Sequence, residues 1–145
     1  MANIVPNSFK SNLLKGVFNF DTSGNGGNTF KCALYTTISG YSATSTVYST
    51  GNEVSSSGTS YTAAGNTLTN NGVAGTTTAF VDFADLTFSS VTLSAVGALI
   101  YKSGGSNEAV LVLDFGGTKT ATNGDFVVQF PAATNSAAII RLGNA

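Results

Sequence analysis

The sequence predicts an all-β chain: an antiparallel β-sandwich, with a jelly roll among the forms it admits, preceded by one short N-terminal helix. Three observations carry this. After Gly16, apolar and aromatic runs alternate with clusters of Gly, Asn, Ser and Thr. Several runs repeat apolar residues at the period of two that a half-buried strand requires. No long segment after Gly16 shows the three-to-four-residue spacing of an amphipathic helix. Eight or nine short strands at turn-marked intervals form the pattern of a sandwich. The chain divides into an arm and short helix over 1–16 and a β-sandwich domain over 17–145.

The elements follow in order. Asn7 or Ser8 can cap a helix whose Phe9, Leu13 and Leu14 share a face and which Gly16 ends. Two turns are too few to stand alone, so this helix must pack on something. Residues 17–20 read as a first strand, followed by a polar loop over 21–27. Residues 28–36 read as a strand with Phe30, Cys32 and Leu34 inward and Lys31 outward. Residues 37–76 are rich in Ser, Thr, Gly and Asn yet carry Tyr41, Val47, Tyr48, Val54, Tyr61 and Leu68. Those anchors predict an ordered excursion with short strands near 61–63 and 66–70, since a linker would lack them.

Residues 78–83 and 86–89 give further strands. Residues 92–102 form a longer one, with Gly97 as a bulge or close-approach position. A turn over 103–107 leads into 108–115, whose apolar run Ala109–Leu113 predicts a strand covered on both faces, with Leu111 and Leu113 on one and Val110 and Val112 on the other. Asn123-Gly124 signals a hairpin turn. Residues 125–130 alternate with Phe126, Val128 and Phe130 on one side, and 137–142 supply the last strand.

Composition narrows the function. The chain has 145 residues, enough for one core without staples, and a net charge of −1, which draws neither nucleic acid nor an anionic membrane. Charged residues make up only 9%, against about 25% in ordinary globular chains. With 42% hydrophobic residues and a mean hydropathy of +0.20, part of the surface is expected to meet protein. Cys32, the only cysteine, is expected to be a core thiol. The first residues show no basic segment followed by an apolar one, so synthesis in a cytoplasm is expected.

The chemistry-bearing residues are sparse. With no His, the chain lacks imidazole ligands and every Ser-His or Cys-His nucleophile. Asp82 and Asp85 fall on opposite faces of an extended chain, while Asp114 and Asp125 can approach each other but more simply satisfy turn amides. Asp21-x-Ser23-x-Asn25-Gly26 matches half a calcium loop, but Cys32 stands where a bidentate Glu is needed. Phe115 to Thr120 is a poor match to a phosphate loop and reads as a strand-end turn. The expectation is a non-enzyme with no catalytic residue, cofactor or metal.

Across the chain, in order, stand Ala2-Asn3-Ile4-Val5-Pro6-Asn7-Ser8-Phe9-Lys10, Leu13-Leu14-Lys15-Gly16, Thr29-Phe30-Lys31-Cys32-Ala33-Leu34-Tyr35-Thr36, and Tyr48-Ser49-Thr50-Gly51-Asn52-Glu53-Val54. Gly65-Asn66-Thr67-Leu68, Asp82-Phe83-Ala84-Asp85-Leu86-Thr87-Phe88, Gly97-Ala98-Leu99-Ile100-Tyr101 and Asp114-Phe115-Gly116-Gly117 continue the set. As a set these resemble the small capsid decoration, or cement, proteins of tailed bacteriophages, including cyanophages. Phe88 departs from that pattern, where a Trp is expected. The resemblance implies a virion structural protein on the outer capsid surface that binds the major capsid protein.

Ile4, Val5, Phe9, Leu13 and Leu14 are the candidate capsid contacts. Tyr41, Tyr48 and Tyr61 are candidate contacts between copies, with a homotrimer expected from local threefold points in capsid lattices. The competing class is a receptor- or glycan-binding module of a head fibre or tail, with Tyr35, Tyr41, Tyr48, Tyr61 and Tyr101 as stacking surfaces.

Overall fold

The computed structural model describes residues 2–144. Helix α1 spans Asn7–Leu14, and the strands are β1 Phe30–Tyr35, β2 Asn66–Thr67, β3 Asn70–Ala74, β4 Ala79–Phe83, β5 Leu86–Lys102, β6 Ala109–Val128 and β7 Ile140–Leu142. They form two antiparallel sheets, β2-β1-β5-β6 and β3-β4-β7. This is a β-sandwich of four and three strands, without the eight strands of a jelly roll among the described residues.

The cap of α1 is not the expected one. Pro6, buried, precedes the helix, while the Ser8 hydroxyl donates to the Ser45 carbonyl and the Asn7 N–H to that of Ala43. Both polar groups thus join the helix start to the excursion, which runs over 37–65 before β2 begins. Gly16 ends the helix in the left-handed conformation, its N–H donating to Leu13 O.

The strand count fell because turn signals proved to be bulges. Residues 86–89 and 92–102 are one strand, interrupted where Ser90 takes a φ of 54°. The segments read at 108–115 and 125–130 likewise fall largely within one 20-residue strand, Ala109–Val128, with 108, 129 and 130 outside it. Asn123-Gly124 makes no hairpin: Asn123 sits at φ 45° in a bulge, and Gly124 pairs with Val91. Phe115 to Thr118 is not a strand-end turn but a wide bulge, for Asp114 pairs with Gly97 and Lys119 with Ala95. Gly and Asn supply positive φ in bulge and turn alike, so composition alone does not separate the two. Residues 17–20 and 61–63 are not strands. Phe18 and Phe20 are buried by an irregular segment tied to Asn28 through Asn19.

Two cores result. Between the sheets, Phe30, Cys32 and Leu34 of β1 meet Ala98 and Ile100 of β5, Val81 and Phe83 of β4, and Phe9, Phe18 and Phe20. Phe20 stacks on Phe30 at 4.6 Å between ring centroids. Burial pushes the Cys32 thiol up to about 12, so it stays protonated. On the opposite face of the four-stranded sheet, Ala33, Tyr35, Leu99, Tyr101 and Val112 form a second core covered by Ile38 and Tyr41. Gly97 is the close-approach point, since a Cβ there would lie 2.7 Å from Ile38 Cγ2.

Strand β6 is covered on both faces, but a register shift between the Ile100–Leu111 and Tyr101–Ala109 pairs turns Val110 to the Leu111 side. Val112 alone keeps the expected opposite face, and Leu113 is only partly buried. Truncating Leu113 will therefore cost less than a fully buried leucine would.

Asp82 of β4 is 1% exposed. Its Oδ1 accepts from the Phe83 N–H at 2.8 Å, while Oδ2 has no hydrogen-bond partner. Burial raises its pKa; the Phe83 and Ile139 amides pull the other way, the latter without good hydrogen-bond geometry. A raised carboxyl pKa favours the protonated fold. That contribution is complete below the ordinary value of 3.8 and is lost as pH rises through the folded value. Asp82→Asn, neutral at every pH, should therefore remove this pH dependence, so that its stability relative to the parent rises from pH 4 to pH 7. Urea midpoints at the two pH values check this, and an equal difference at both would mean that the carboxyl does not titrate in this range.

Candidate interaction groove

The N-terminal segment is built into the sandwich. Ile4 bridges Val112, each N–H donating to the other's carbonyl at 2.9 Å, which covers part of the outer edge of β6. Asn3 Oδ1 accepts from the Asp114 N–H at 2.8 Å. Helix α1 follows and turns Phe9 into the main core against Phe18 at 5.2 Å.

Between α1, the start of β6 and β7 lies an open groove of about 620 Å³. Its lining is mostly apolar: Val5, Phe9, Leu13 and Leu14 on one side, Val110 and Leu111 at the floor, and Ile139 to Leu142 on the far side. Leu14 is 90% exposed, Leu142 59% and Val5 44%. Lys10 and Arg141 supply the only charges in the lining. Of the five expected capsid contacts, the structure gathers Val5, Phe9, Leu13 and Leu14 around this groove. Ile4 points instead to the second core.

The sequence reading missed the C-terminal wall. Residues 137–142 read as one more strand, and nothing in their pattern announces a missing neighbour. Val110 and Leu111 read simply as core.

The tyrosines have a different place from the one expected. Tyr41 and Tyr61 are buried, and Tyr48 is half-buried against Tyr101 at a centroid distance of 4.6 Å. Glu53 gathers them: its Oε2 accepts from the Tyr48 hydroxyl at 2.6 Å, and Oε1 from the Tyr61 hydroxyl at 2.8 Å and the Ala64 N–H at 2.7 Å. Tyr61 in turn accepts from the Leu34 N–H. The Tyr41 hydroxyl donates to that of Tyr35, which donates to Ser49 O. Burial, reinforced by Glu53, raises the Tyr48 and Tyr61 hydroxyls well above their ordinary range and keeps them donors. These rings hold the 37–65 excursion on the sheet. Contacts between copies are therefore reassigned away from Tyr41 and Tyr61, and sugar stacking away from the buried Tyr35, Tyr41, Tyr61 and Tyr101, which leaves the half-buried Tyr48.

A second groove, about 710 Å³, runs along the far half of β6 and holds Asp114, Lys119, Asp125 and the rings of Phe115, Phe126 and Phe130. Both carboxylates serve backbone amides: Asp114 Oδ1 accepts from Gly116 N at 2.9 Å and Asp125 Oδ1 from Ser90 N at 3.2 Å. Asp21 likewise binds its own loop, through Thr22 N and the Asn25 side chain. Among the described residues, no three potential metal-ligating side chains converge, and no helix is long and apolar enough to cross a membrane. Comparison of the chain with protein-family models, curated proteins and solved structures gave no match.

Proposed function

We propose that the chain is a non-catalytic virion structural protein that decorates and stabilises a bacteriophage capsid. It binds the major capsid protein from outside, as a homotrimer matched to local threefold points of the shell. The chain-long resemblance to decoration proteins supports this reading. The observation that carries it is the exposed apolar rim of the groove: Leu14, Leu142 and Val5 gathered on a surface short of charge. Such a patch is costly in water and is suited to burial against protein. No feature of the fold favours the receptor- or glycan-binding alternative once the tyrosines are engaged within the chain.

Removing residues 2–15 would take Phe9 and Pro6 out of the interior, so truncation does not isolate a binding role. Charges placed at the exposed rim do. The Val5→Asp/Leu14→Asp variant should keep the melting temperature of the parent. It should occupy decoration-free phage heads at least about tenfold more weakly, as loss of two apolar interface contacts implies. Undiminished occupancy would reject the reading.

A further inference from the structure

We infer that the groove takes an extended, acidic-apolar segment of the partner, which adds as a fourth strand beside β7. This deepens the decoration reading, on which it rests for the identity of the partner.

The three-stranded sheet has the order β3-β4-β7, so β7 is an edge and pairs only with β4. The groove runs along its other side. All three β7 residues, Ile140 to Leu142, line it, with Ile139 just before them. Side chains alternate between the two faces of a strand, so a cavity that touches three in a row lies along the strand's edge. Unpaired edges offer N–H and C=O groups to any extended chain that arrives. Here the edge opens onto the apolar side chains of Phe9, Leu13, Val110 and Leu111, where alternate side chains of the added strand would be buried.

Charge selects the occupant. Lys10 and Arg141 are both exposed at the groove and no carboxylate lines it. An incoming segment with carboxylates beside its apolar residues is attracted, and a basic one is repelled. The occupant is thus an acidic-apolar segment of the capsid partner.

The probe is a seven-residue synthetic peptide in which valines alternate with threonines, with aspartates at both ends and one tryptophan. The protein has no tryptophan, so fluorescence reports the peptide alone. Saturable binding by the full chain is expected, with slowed amide exchange at residues 140–142. A matched peptide ending in lysines should bind about tenfold more weakly, the weight of two surface charge pairs. Lys10→Glu/Arg141→Glu should reverse that preference. Arg141 also donates to Ser136 O, so the two peptides on the parent protein give a comparison independent of the variant. Equal affinity for both peptides, no saturable binding, or a dimer of the chain formed through β7 would each overturn the inference. Head binding without peptide binding rejects this inference alone, and peptide binding without head binding rejects the capsid reading alone.

Discussion

Glu53→Ala is expected to destabilise the protein by about 3–5 kcal/mol, because several buried donors lose a charged acceptor together. The carboxylate receives the Tyr48 and Tyr61 hydroxyls and the Ala64 N–H. Residues 53 and 54 also carry the excursion along the edge of β1, through the Tyr35–Glu53 bridge and the Val54 N–H to Leu34 O. Alanine would leave two hydroxyls and an amide facing a space with no acceptor. Glu53→Gln should cost clearly less: its oxygen still serves Tyr61 and Ala64, and its amide can donate to a rotated Tyr48 hydroxyl. Urea denaturation of both variants reads the difference. A loss equal in the two would locate the effect in the charge, and no loss for alanine would mean apolar contacts alone hold the excursion. Proteolysis within 37–65 should accelerate in the alanine variant, because this segment has little regular secondary structure of its own.

The fold class was legible because strand periodicity depends on local burial. Phe30, Cys32 and Leu34 announced a buried face, and Ala109 to Leu113 announced burial on two, which holds up to Val112 while Leu113 is only partly buried. The order of the 37–76 excursion was also legible, since its apolar anchors need a surface to rest on. What those anchors touch was not. A tyrosine carries the same sequence signal whether its hydroxyl meets another copy or Glu53 in its own chain. Bulges escaped notice for a related reason: Ser90 and Asn123 take positive φ inside paired strands, where their composition reads as turns. The groove was half visible. Val5, Leu14 and their neighbours marked one wall, but the other wall exists only because β7 ends a sheet, and strand order is a property of long-range pairing.

Gly65→Ala should be among the most damaging single substitutions in the chain, costing on the order of 4 kcal/mol or preventing folding. Gly65 has a φ of +76° and is buried where the excursion returns to the sheet. Its neighbours explain the position. The Ala64 N–H is held by Glu53 and the Ala64 carbonyl by the Tyr101 hydroxyl at 2.7 Å, and Asn66 then pairs with Cys32 as β2 begins. A Cβ on Gly65 would collide with the Cys32 carbonyl and lie 2.7 Å from the Ala33 Cα. Both obstacles are backbone of β1, which is locked between two cores and cannot give way as a flexible side chain would. Two effects therefore combine: the strain of a left-handed alanine, about 1–2 kcal/mol, and the displacement of β2. Gly16→Ala separates them. Gly16 has a φ of +73°, and a Cβ there meets nothing within 4 Å. That variant should show the conformational strain alone. Thermal or urea unfolding of the two proteins side by side measures the remainder, which belongs to the contact between the excursion and β1. Equal losses would mean that β1 yields at this point and that the tyrosine network, not the close backbone approach, fixes where the excursion rejoins the sheet.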